Sequence, residues 1–259
     1  MLNLIKYELI KKYKLFSIAI LFSLGLNVYL ITTGAGGSIA FIAFFPVIAA
    51  ILYIVDVIRM YSDDLNKKSG YMLFMTPNSG YKIVISKLVT SVIEGFTILL
   101  IYFIFILING VNIVISSGSE INYSQIIRHV NSLLSGSLGI NLGHIFVFLF
   151  AVLTFIIAFI TTVYAAMTIR KSIFSEVKFG GLLSFIIFML LNWVISSLSG
   201  NFFEAISPYY ESISNSLSMG RISAGELAMV MLPMIGISIL QIIALTGASG
   251  YLLENKINL

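Results

Sequence analysis

Cysteine is absent from this sequence, which excludes disulfides, thiolate metal sites and cysteine nucleophiles together. Histidine is nearly absent: His129 and His144 stand alone, at no spacing that two ligands of one metal ion would use. Charge is scarce as well. Asp, Glu, Lys and Arg make up 10% of the 259 residues, where a soluble domain carries about a quarter. No GxxxxGK[ST] phosphate loop occurs, and Ser79-Gly80-Tyr81-Lys82 lacks the strand–loop–helix context of one. The chain therefore has no motif for ATP, and no Ser-His-Asp arrangement faces one side. An enzyme, a metalloprotein and a nucleotide-binding domain all fall away, and no internal repeat points to a solenoid.

What is present is hydrocarbon. Apolar residues make up 59% of the chain, and the mean hydropathy is +1.03. Such a chain cannot present a water-facing surface; it is an integral membrane protein. Six apolar segments, near 15–33, 39–59, 86–109, 144–168, 179–199 and 228–252, approach or exceed the ~20 residues needed to cross a ~30 Å core. Continuous Ile, Phe and Leu runs predict helices, not the alternating strands of a barrel. The expected fold is all-α: six spans in one membrane domain over residues 1–259.

The basic residues orient the spans. Lys6, Lys11, Lys12, Lys14, Arg59, Lys67, Lys68, Lys82, Lys87, Arg170, Lys171, Lys178 and Lys256 flank one side, while Arg128 and Arg221 are the two on the other. This asymmetry predicts that both termini lie in the cytoplasm. It also explains the pI near 9.2 without nucleic acid as a partner.

Residues 1–14 read as a separate amphipathic helix lying in the interface. Leu2, Ile5, Leu9, Tyr13 and Phe16 share one face, with Lys11 and Lys14 opposite. A signal peptide also starts basic, but the long apolar run that follows favours a retained first helix. Residues 34–38 read as a tight outer turn. Residues 110–143 form a polar outer loop, and 200–227 an aromatic one that dips into the interface.

Polar groups inside the spans are candidates for function. Glu94 lies deep in an apolar run, on the face of its helix that also carries Lys87. Two readings stand: it pairs with a basic side chain near the cytoplasmic interface, or it belongs to a transport path or gate. Asp56 and Arg59 are expected to form an intrahelical pair. Asn27, Asn192 and Gln241 should bond across helices, with substrate contact as the other reading. Pro46 and Pro233 should bend their helices, and Gly247-Ala248-Ser249-Gly250 suits close helix packing.

The longest charged interruption is Tyr61–Lys87, YSDDLNKKSGYMLFMTPNSGYKIVISK. It runs from Asp63 and Asp64 through Lys67 and Lys68 to an apolar cluster, breaks at Thr76-Pro77, and re-enters the membrane behind Lys82 and Lys87. An acidic start, then Gly70, then Tyr71-Met72-Leu73-Phe74-Met75, then Thr76-Pro77-Asn78-Ser79, then Ser86-Lys87-Leu88 resembles the permease subunits of ABC-2-type transporters. The six-span layout, with a helical outer loop between spans 5 and 6, extends the likeness over the chain. Many such permeases carry Glu at the place of Asp64 and Gly at that of Ser86.

The resemblance implies a bacterial plasma-membrane exporter of a peptide, drug or lipid-like molecule, working by alternating access. A separate cytoplasmic ABC ATPase subunit would hold the ATP and magnesium and dock on residues 64–76. A second permease chain, the same or homologous, would complete the dimer. Asp64, Lys67, Lys68, Tyr71, Met72, Phe74, Met75 and Pro77 would make the ATPase contact, on a helix over 64–75 capped by Ser62 or Asp63 and stopped before Pro77. A secondary carrier driven by an ion gradient, or a non-transporting immunity or sensor component, are the other readings of the same six spans.

Overall fold

Each of the six apolar runs lies within one long helix in the computed structural model, which describes residues 2–66, 79–116, 142–174, 179–208 and 224–255. The helices are α1 (Leu2–Thr32), α2 (Ala35–Asn66), α3 (Gly80–Ser116), α4 (Leu142–Ile173), α5 (Gly180–Ala205) and α6 (Ala224–Asn255). No strand occurs among the described residues. All six helices are long and apolar enough to cross a membrane. Large apolar side chains such as Phe22, Phe44, Leu100, Phe155 and Trp193 point outward and are well exposed. Only lipid makes such a surface tolerable. The protein is an all-α, multi-pass membrane protein.

The helices outrun the spans read from hydropathy, and the difference is greatest at the start. The separate interfacial helix expected over residues 1–14 does not form, because α1 continues without interruption from Leu2 to Thr32. No proline or glycine separates Lys14 from Leu15, and nothing else there would break a helix. At 1.5 Å per residue, α1 is about 46 Å long, well beyond a ~30 Å hydrocarbon core. The inward face also differs from the expected one. Tyr13 and Leu2 are exposed, while Glu8 is buried and Lys12 half-buried.

The turn between α1 and α2 is tighter than the 34–38 reading. Gly34 adopts a φ of +86°, a conformation natural to glycine alone, and α2 begins at the next residue. At its other end α2 runs on through Asn66, so Ser62 and Asp63 are residues of its last turns rather than caps of a new helix. Pro46 and Pro233 both lie within continuous helices.

By their contacts the described residues fall into two units. The first comprises 2–66 and 82–116; the second comprises 79–81, 142–174, 179–208 and 224–255. In the first unit, the end where α1 begins, α2 ends and α3 begins is charged. Toward the opposite end Phe41, Phe45, Tyr102 and Phe105 stack, with ring centroids 5.1–5.9 Å apart. In the second unit α4 is the central helix, packing on both α6 and α5.

Candidate functional site

Two charged layers bind α1, α2 and α3 together. The outer one is built on Lys87, whose side chain is 2% exposed. Its ammonium donates to Glu8 Oε1 at 2.8 Å and lies 2.5 Å from Asp64 Oδ2. Lys11 reaches the other Asp64 oxygen at 3.5 Å. One lysine on α3 thus holds a carboxylate on each neighbouring helix.

The inner layer is built on Lys12, one helical turn after Glu8. Its ammonium donates to Asp56 Oδ2 at 2.5 Å and lies 2.9 and 3.0 Å from the two oxygens of Glu94. Again three helices meet at one nitrogen. The pattern explains why α1 turns Glu8 and Lys12 inward: both have partners of opposite charge there, and Lys11 reaches Asp64 from the exposed rim. An unpaired charge in an apolar span is costly, and a paired one far less so.

Counting all seven groups, four carboxylates (Glu8, Asp56, Asp64, Glu94) face three ammonium groups (Lys11, Lys12, Lys87). The excess of one negative charge falls in the inner layer, where Lys12 serves both Asp56 and Glu94. Beyond it, neutral bonds continue the same seam. Tyr53 donates to the Ser91 carbonyl at 2.8 Å, Asn109 to Asn27 Oδ1 at 2.9 Å, and Asn112 to Ser38 at 2.8 Å.

The expected site residues divide accordingly. Glu94 pairs with a basic side chain, as one of its two readings had it, and the partner is Lys12. Asp64 lies in the outer layer. Asp56 does not pair with Arg59: it bonds Lys12, and Arg59 instead lies 3.8 Å from Asp63, one turn on. A partner on another helix replaces the intrahelical one because α1 runs antiparallel beside α2 there. Lys67, Lys68, Tyr71, Met72, Phe74, Met75 and Pro77 lie outside the described residues, as do His129, Arg128 and Arg221. No cluster of metal-binding side chains occurs among the described residues.

The second unit handles polarity differently. Gln241 on α6 donates across to Thr162 Oγ1 at 2.7 Å and to the Ala158 carbonyl at 3.3 Å on α4, the cross-helix bond expected of it. Asn192 makes no such bond; its amide donates to Phe188 O of its own helix. Thr154, Thr161, Thr162 and Thr168 likewise donate to carbonyls one turn back in α4. Arg170, beyond the apolar segment 144–168, belongs to the last turn of α4, is buried, and lies over Gly180 at the start of α5.

Small residues allow a close approach between the start of α3 and the end of α6. A Cβ on Gly80 would fall 2.6 Å from the Gly250 carbonyl oxygen and 2.9 Å from Leu253 Cβ. Gly250 in turn faces the Tyr81 ring. The small-residue run at the end of α6 therefore packs as its composition suggests. Between α4, α5 and α6 a cavity of about 500 Å³ opens, lined in part by Thr154, Asn192, Ser196, Ser199, Ser238 and Gln241. No family model matches the chain, nor does any curated protein or solved structure.

Proposed function

We propose that this chain is the membrane-spanning permease subunit of an ATP-driven exporter of the ABC-2 kind, carrying an apolar or amphipathic molecule out of the cytoplasm. ATP is hydrolysed by a separate ATPase subunit that docks on residues 64–76, and a second permease chain completes the path. The membrane is the bacterial plasma membrane, with both termini in the cytoplasm.

The observation that supports this reading most is the clamp on Asp64. Asp64 sits two residues before the end of α2, at the threshold of the coupling segment, and Lys87 and Lys11 tie it to α3 and α1. A segment anchored at its base by buried ions passes a push to three helices at once. A solvated linker has no use for such an anchor. The same network weighs against an ion-gradient carrier, because Glu94, the acid that reading needs, is already committed to Lys12.

The test is to purify the chain with the products of its neighbouring genes. An ATPase should come with it, and Met72→Asp or Phe74→Asp should abolish stimulation of that ATPase while leaving membrane insertion intact. Normal coupling in both variants would overturn the docking assignment. Transport that survives ATP depletion and collapses with the ion gradient would overturn the exporter.

A further inference from the structure

The cavity between α4, α5 and α6 has a chemistry of its own. Asn192, Ser196 and Ser199 recur at i, i+4 and i+7, which puts three polar groups on one face of α5. All three line the cavity. Asn192 uses its amide N–H on its own helix, and its carbonyl oxygen remains open. Among the described residues, nothing hydrogen-bonds the Ser196 or Ser199 hydroxyl. Across the cavity stands Gln241, whose two bonds both leave from its amide nitrogen. Asn192 and Ser199 are half-buried and Ser196 is exposed, so their open hydrogen-bonding groups stand where an occupant of the cavity would meet them.

The rest of the lining says what that occupant is. Phe148, Phe155, Phe203 and Met231 supply apolar walls, and among the described residues no Asp, Glu, Lys, Arg or His lines the cavity. An ion entering it would find no countercharge. The volume of about 500 Å³ falls within the 300–1,000 Å³ common for small-molecule sites. We infer that the α4–α5–α6 cavity binds a neutral, single-chain amphiphile: the chain lies along the aromatic and methionine walls, and a hydroxyl or amide head bonds to Asn192, Ser199 and Gln241. Naming this molecule the cargo rests on the exporter reading. The site itself does not, because binding needs neither ATP nor a partner.

The test uses the full chain in phosphatidylcholine nanodiscs with a diazirine-tagged monoacylglycerol as the probe. Saturable photolabelling is expected in the lining segments of α4, α5 and α6, displaced by untagged monoacylglycerol. An alkyl sulfate of equal chain length should compete at least about tenfold less well. Asn192→Leu combined with Ser199→Ala removes two hydrogen bonds and should weaken labelling about tenfold. Ser196→Phe, at the exposed rim, should block entry, while Trp193→Phe, outside the lining, should leave labelling unchanged. Each variant is checked for a monodisperse peak, so that the rim and head-group variants test the site independently of folding.

Three results would overturn the inference: unsaturable labelling spread over all lipid-facing helices, equal competition by the alkyl sulfate, or cross-links from cavity residues to a second copy of the chain. Intact ATPase coupling with no saturable labelling would sink this site and leave the exporter reading standing. Saturable labelling with no associated ATPase would do the reverse.

Discussion

The two units solve the same problem, joining three apolar helices in lipid, by opposite means. Unit 1 spends its charge: four carboxylates on α1, α2 and α3 converge on Lys12 and Lys87, with Lys11 beside Asp64. Unit 2 leans on lighter links: Arg170 on α4 reaches Ser184 on α5 at 3.4 Å, and Gln241 joins α6 to α4. Its threonines satisfy themselves on their own helix, and Gly180 lets the Arg170 side chain of α4 lie over the start of α5. Buried ions fix which helix meets which, in what register, since each lysine fits between one particular pair of carboxylates. They add little net stability over an apolar packing of the same shape. Small residues and hydroxyls specify less and leave room, and the room here is a cavity. The geometry of unit 1 suits a rigid anchor, and that of unit 2 suits a ligand.

The sharpest way to break this contrast is to remove the lysine between Glu8 and Asp64. Lys87→Met leaves two buried carboxylates without their shared cation, and should lower stability by about 3–5 kcal/mol. Thermal unfolding of the purified protein in nanodiscs would read the change. Adding Glu8→Gln and Asp64→Asn to the same chain should recover much of the loss. If the single substitution were as mild as a surface change, the ions would not be what holds unit 1.

A smaller effect tests unit 2. Gly80→Ala places a methyl 2.6 Å from the Gly250 carbonyl, so backbone must move. A cost of about 1–3 kcal/mol is expected from overpacking, with no change in the pairing of Lys12 and Lys87. The smallest effect belongs to Gln241→Leu. Its bond to Thr162 joins neutral groups within the membrane, where such bonds average about 0.6 kcal/mol. A larger loss would mean that unit 2, too, depends on polar specification.

The existence of the six helices was legible because a stretch of about twenty apolar residues has few other fates in a membrane. Their ends were not. Residues 2–14 carry a pattern that fits an interfacial helix equally well, and hydropathy does not register that Lys11 and Lys12 have carboxylates waiting on α2. Asp56 and Arg59 had the right spacing to pair with each other. Lys12, forty-four positions away in sequence, won the contact because packing brought α1 alongside. Asn192 failed the opposite way: its amide donates to Phe188 of its own helix rather than across to another. The polar face of Asn192, Ser196 and Ser199 could have been seen, since its period is that of a helix. What it faces could not.

The sequence by itself determined that this protein lives in a membrane, that it is helical, that six of its segments are long and apolar enough to cross, and that it carries neither cysteine nor a GxxxxGK[ST] loop. These follow from composition and run length, which act on each segment separately. Only the tertiary structure decided that Glu8, Asp64 and Lys87 form one buried layer, that Glu94 is held by Lys12, and that α4, α5 and α6 line an open cavity whose described walls carry no charge. The reason is physical: a charge in an apolar span is either costly or settled according to what lies a few ångströms away, and that neighbour comes from another helix.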